Sequence, residues 1–163
     1  MTKSILDGKK LLAVDDEPDI LNVLEEEIMG ACPRCVFEKA TTYEEAMKRL
    51  ESQVYDLVIL DIMGVRGFEL LEFAIKKKLR VVMLTAHALN PEALKRSYEK
   101  GARAYLPKDK LGEIVPYLED VFTYEFEPGW KRLYKNLRGF FDEVFGTDWE
   151  KKTGAKWTGW GEY

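Results

Sequence analysis

"KLLAVDDEPDILNVLEEEIMG", residues 10–30, passes from a short apolar run through three consecutive acids into a helical pattern. The run over 10–15 has the length of a buried strand rather than of a helix. After it, Ile20, Leu21, Leu24 and Ile28 recur on one helical face. Pro18 stands where a first helical turn tolerates it, and Gly30 is a natural C-terminal stop. The stretch therefore reads as one strand-to-helix unit with Asp15, Asp16 and Glu17 at the joint. Two carboxylates about 4 Å apart repel by about 4 kcal/mol at a surface-like dielectric. A lysine, an arginine, a helix N-terminus or a metal ion must answer that charge.

The same unit recurs along the chain. Further strand-like runs fall at 35–40 (CVFEKA), 55–61 (YDLVILD), 80–86 (RVVMLTA) and 102–108 (ARAYLPK). Helical patterns lie between them, with Thr42 and Asn90 as N-cap types and Gly101 as a stop. Five strands alternating with helices predict an α/β fold, a parallel sheet covered on both faces. Ligands of such sheets bind beyond the carboxyl ends of the strands, where the strand order reverses. Those ends carry Asp15 and Asp16 on the first strand, Asp61 on the third, Thr85 on the fourth and Lys108 on the fifth. One shared site explains four polar strand ends better than four solvated accidents.

Composition narrows the class. With 163 residues the chain makes one domain with room for an appendage, and 46% apolar against 33% charged residues is ordinary for a globular protein. A net charge of −4 argues against direct nucleic-acid binding. The N-terminal segment has only a short apolar core, Leu11–Val14, before charge returns, too short for a signal peptide or a membrane span, so a cytoplasmic location is expected. Cys32 and Cys35 form CPRC, but a thioredoxin-like motif follows a strand and opens a helix, whereas this one does the reverse. A zinc site wants four ligands, and the chain holds one His and two Cys. The motif reads as a connecting loop.

Three acids without His or Cys nearby suit a hard cation, Mg²⁺, which takes carboxylates, waters and phosphate oxygens. A carboxylate can also attack phosphorus and form an aspartyl phosphate. Such a transfer needs mainly positioning and charge neutralisation, to which Thr85 offers a hydroxyl donor and Lys108 a point charge.

These residues and their order resemble the receiver domain of two-component response regulators, over about residues 9–121. The similarity rests on VDDEP, on DLVILDIM, on VVMLTAHA with its Thr-Ala, and on GARAYLPKD with a Tyr three residues before the Lys. The resemblance implies a flavodoxin-like, doubly wound sheet of strand order 2-1-3-4-5 over residues 1–122. It implies Asp61 as phosphoacceptor, and Asp15, Asp16, Asp61 and the backbone carbonyl of Met63 as ligands of Mg²⁺. Thr85 would be the hydroxyl that moves onto the phosphoryl group, Lys108 its cationic partner, and Thr85 with Tyr105 the switch pair. A histidine kinase or histidine phosphotransfer protein would be the donor, and an output protein the reader. The chain departs from the family pattern after the phosphoacceptor, where DIMGVRGFELL lacks a Pro and is two residues shorter. It departs again at Pro107, which precedes the Lys instead of following it. Glu17 reads as a first-turn acid meeting the helix dipole, and His87 as a loop residue at the mouth of the site.

Two other classes compete. A hydrolase of the haloacid dehalogenase type would need a second Asp two residues after the first, where this chain has Met63. A receiver-like module that is never phosphorylated would lose site residues, and this chain keeps them.

Residues 123–163 read as a C-terminal helical extension. Trp130, Leu133, Leu137, Phe140, Phe141, Val144 and Phe145 form an apolar stripe, set off by Pro128 and Gly129 from the helix before it. A stripe of that size must be covered, by the domain itself, by a second copy in a homodimer, or by a partner protein. The last stretch, 151–163, has no periodicity and reads as a mobile end or a short recognition peptide.

Overall fold

The computed structural model of the chain describes residues 4–86 and 90–152. Strand β1 (Lys10–Val14) lies inside the sheet, with all of Leu11–Val14 buried, and it pairs in parallel with β2 (Val36–Ala40) and with β3 (Leu57–Asp61). Beyond β3 follow β4 (Arg80–Thr85) and β5 (Ala104–Pro107), so the sheet has the order β2-β1-β3-β4-β5. The expected flavodoxin-like order is the observed one. The burial pattern explains it: β3 is covered on both faces and apolar throughout until Asp61, whereas β2, at the edge, leaves Val36 exposed.

Helices α1 (Pro18–Ala31), α2 (Tyr43–Ser52), α3 (Gly67–Lys76), α4 (Pro91–Glu99) and α5 (Ile114–Thr123) cover the sheet, α1 packing beside α5 and α2 beside α3. The Thr42 hydroxyl accepts the Glu45 amide at 3.1 Å and the Asn90 side chain accepts the Ala93 amide at 2.7 Å, as their cap positions predict. Gly101, at φ +96°, follows α4 as its stop. Gly30, by contrast, lies inside α1, which runs to Ala31 and is capped at Cys32. The CPRC loop after it is closed by the bond from the Cys35 amide to the Cys32 carbonyl, with both thiols buried. Burial, with the Cys32 thiol alongside, raises the Cys35 thiol to about 12, the opposite of what a redox nucleophile needs.

The extension forms α6 (Phe126–Phe145) and a single turn, α7 (Trp149–Lys152). The break from α5 falls at the extended Tyr124, not at Pro128 and Gly129, which sit in the first turn of α6. A proline there removes only an amide that the helix could not have used. Trp130, Leu133, Leu137 and Phe141 are buried against the chain's own β5 and α5, which settles in cis where the stripe is covered. Val144 stands outside it at 41% exposure, and Tyr134 and Trp149 join it. The Trp130 indole donates to the carbonyl of Ala102 at 2.8 Å, and Tyr98 of α4 stacks on Phe126 at 5.3 Å. The end of the stretch read as mobile, 153–163, lies outside the described residues. No helix among the described residues is long and apolar enough to cross a membrane.

Candidate functional site

Each strand end contributes as its position dictates. β1 delivers Asp15 and Asp16, β3 delivers Asp61, β4 ends on Thr85, and the residue after β5 is Lys108. The parallel register brings these ends together, since Asp61 pairs with Leu84 and Thr85 with Pro107. Asp16, Asp61, Thr85 and Lys108 line one depression with Glu17, Met63, Gly64 and Ala86. Carboxylate oxygens of Asp15, Asp16 and Asp61 all lie within 4.8 Å of one another.

Lys108 answers part of that charge. Its ammonium is 2.8 Å from Asp15 Oδ2, 3.0 Å from Asp61 Oδ1 and 3.3 Å from Glu17 Oε2. Burial would lower the lysine, but its hydrogen bonds to Asp15 and Asp61 outweigh burial and hold it above its ordinary range. Lys108 is therefore a fixed positive charge. Burial first, and the Asp15 charge second, push Asp61 up to about 6 despite Lys108, and burial raises Asp15 as well. A net excess of buried negative charge remains, and Asp15 Oδ2 has no aligned hydrogen bond beyond its ion pair. An all-oxygen set with that surplus fits a hard divalent cation. Glu17 does not cap α1 with its side chain; it turns toward Lys108, while its amide donates to Asp15 Oδ1 at 2.9 Å.

The loop after β3 builds the remaining wall through Met63 and Gly64. The Met63 carbonyl accepts the Val65 amide in a tight turn, which still leaves it one lone pair, while the Met63 side chain is exposed. At Gly64, φ is +49° and a Cβ would lie 2.5 Å from the Asp16 carboxylate. A Cβ at Gly67 would meet the Asp61 carbonyl at 2.2 Å. The two glycines let the loop pass directly against the Asp16 carboxylate and the Asp61 backbone. Their spacing in MGVRG is legible in the sequence, but what they avoid is not. Gly64→Ala is expected to cost about 1–3 kcal/mol. It should also shrink the gain in urea midpoint that Mg²⁺ gives the unsubstituted protein, because Asp16 is displaced. An unchanged Mg²⁺ increment would show that Asp16 does not depend on Gly64.

Tyr105 is not in the depression. It is fully buried on β5 beside the end of β4, and its hydroxyl donates to the Asn90 carbonyl at 3.4 Å, with the Thr85 side chain nearby. His87 lies outside the described residues.

Residues 11–119 match the family model described as response regulator receiver domain. The chain is 36% identical over 107 residues to the two-component response regulator ARR18 of Arabidopsis thaliana, an alignment covering 62% of this chain and 16% of that protein. The chain thus spans less than a fifth of that relative's length. Among solved structures, a response regulator from Chloroflexus aurantiacus J-10-fl is similar at 26% identity and a TM-score of 0.63, over 72% of this chain and all of that one. A CheY-like response regulator receiver domain protein from Methanospirillum hungatei JF-1 is similar at 27% identity and a TM-score of 0.58, over 71% of this chain and 97% of that one.

Proposed function

Because the chain belongs to the response regulator receiver domain family, we propose that it accepts a phosphoryl group on Asp61 from a histidine kinase or a histidine phosphotransfer protein and signals by protein contact. The observation that carries this reading is the convergence of three carboxylates, a hydroxyl and one half-buried lysine at the ends of four strands.

Asp61 is the nucleophile. At pH 7 it is mostly ionised, and as a buried carboxylate it has shed the water that would shield its oxygens. Its oxygen attacks phosphorus, and the bond from phosphorus to the donor nitrogen breaks as the new P–O bond forms. Asp15, Asp16, Asp61 and the Met63 carbonyl would hold Mg²⁺, which when bound neutralises charge on the phosphoryl oxygens. Lys108 supplies a second positive charge to those oxygens, and Thr85 donates its hydroxyl to one of them. The reaction changes the protein rather than turning over a substrate. No membrane or nucleic acid is needed, and a cytoplasmic setting suits the reading.

Acetyl phosphate with Mg²⁺, followed by intact mass, tests it. One phosphoryl group should be gained, with EDTA or Asp16→Ala removing most of the gain. Labelling that persists undiminished in EDTA would overturn the role of the acidic cluster.

A further inference from the structure

An aromatic cover lies over Tyr105. Phe141 of α6 is fully buried, and its ring centre lies 6.2 Å from that of Tyr105 at an interplanar angle of 55°. Behind it, Phe145 stacks at 5.6 Å and Trp149 meets it edge-on at 6.0 Å. The Trp149 indole donates to Asp142 at 2.9 Å, which ties α7 back onto α6. At the other end, Trp130 anchors α6 to the segment before β5 through the Ala102 carbonyl. The helix is thus anchored near its start by Trp130, stiffened near its end by α7, and presses one ring onto Tyr105.

Tyr105 in turn touches the site. Tyr105 pairs in register with Met83 on β4, two residues before Thr85, so it lies beside the strand end that lines the depression with Asp61, and its hydroxyl is near enough to Thr85 to feel that side chain. Without Phe141 the outer side of the Tyr105 ring would lose its cover, and the side chain would gain rotamers that leave Thr85. Packed rings and the β4–β5 pairing therefore lead from α6 to the strand end that carries Thr85. Coupling of this kind is reciprocal.

We propose that Phe141 is a positioning residue of the phosphoryl site: it holds Tyr105 inward against Thr85, so that docking of α6 and occupation of the site favour one another. This rests on the reading that Asp61 accepts a phosphoryl group. The partner that reads the signal then meets the outer face of a tightened α6, in place of the β5 and α5 surface that α6 covers.

The test uses the full chain, beryllofluoride as a phosphoryl stand-in, and Mg²⁺. Phe141→Ala should weaken beryllofluoride binding about 5- to 50-fold, while the affinity for Mg²⁺ alone stays within about twofold, because Asp15 and Asp16 are untouched. Leu133→Ala, on the same helix but facing a small cavity shared with Ala104 and Tyr117, should lower stability and leave beryllofluoride binding nearly unchanged. In Tyr105→Ala, adding Phe141→Ala should change binding no further. In the unsubstituted protein, beryllofluoride should slow amide exchange across 130–145. If Phe141→Ala fails to fold, Phe141→Leu carries the same comparison. Equal loss in the Leu133 and Phe141 variants, or undiminished binding in Phe141→Ala, would overturn the coupling. Failure of the unsubstituted protein to bind beryllofluoride would instead sink the phosphoacceptor reading beneath it.

Discussion

Asp61→Asn is expected to abolish the gain of a phosphoryl group from acetyl phosphate and to make the metal-free protein more stable at pH 7. The first effect follows because an amide oxygen is not a competent nucleophile toward phosphorus. The second follows from the charge balance at the strand ends. Burial and Asp15 raise Asp61 to about 6, against about 3.9 in the unfolded chain, so the folded state holds this proton more tightly. Between those two values the folded state binds more protons than the unfolded one, and stability falls as pH rises through that window. At pH 7 the whole cost is present; below about pH 4 it vanishes. Replacing the carboxylate by a neutral amide of the same shape should therefore add about 1–3 kcal/mol at pH 7, discounted for the ion pair with Lys108. Urea midpoints measured from pH 4 to 8 should show the advantage of Asp61→Asn closing as pH drops from about 6 to about 4. Stable labelling of the variant on another residue would move the acceptor elsewhere. A variant less stable than the unsubstituted protein at pH 7 would mean that Lys108 more than compensates the burial of Asp15 and Asp61.

Trp130→Ala is expected to be the most damaging single change in the extension, costing about 3–5 kcal/mol. The indole is fully buried, so truncation removes its contacts with Tyr98 and Phe126, whose ring centres lie 5.5 and 6.4 Å away. It also deprives the Ala102 carbonyl of its 2.8 Å donor, inside the protein, where an unmatched acceptor has no water to turn to. Val144→Ala, on the exposed side of the same helix, should stay within about 0.5 kcal/mol. Chemical denaturation followed by far-ultraviolet dichroism distinguishes the two. If Trp130→Ala unfolds within about 1 kcal/mol of the unsubstituted protein, α6 is not docked on β5 and α5 in solution, and the coupling through Phe141 loses its foundation.

Much of the receiver part is legible in the order of its residues, because its signals are local. The apolar run of Leu57–Leu60 ending on Asp61 declares both a buried strand and what stands at its end. Thr42 and Asn90 announce their caps through a side chain that reaches an amide three residues on. Parallel strands then force all carboxyl ends to one edge, so membership of Asp15, Asp16, Asp61, Thr85 and Lys108 in a common site follows from topology. What long-range packing decides is different in kind. Nothing in the neighbourhood of Glu17 says that its carboxylate joins Lys108, ninety-one positions away, instead of capping α1. Gly64 and Gly67 advertise a turn, but only the folded loop shows that a methyl group would collide with Asp16 or with the Asp61 backbone. The amphipathic stripe of α6 requires a cover and is silent about which one, since hydrophobic attraction has no direction or address. That choice rests on the fit of Trp130 beside Ala102 and of Phe141 over Tyr105, contacts between residues far apart in sequence whose pairing exists only after the sheet has formed.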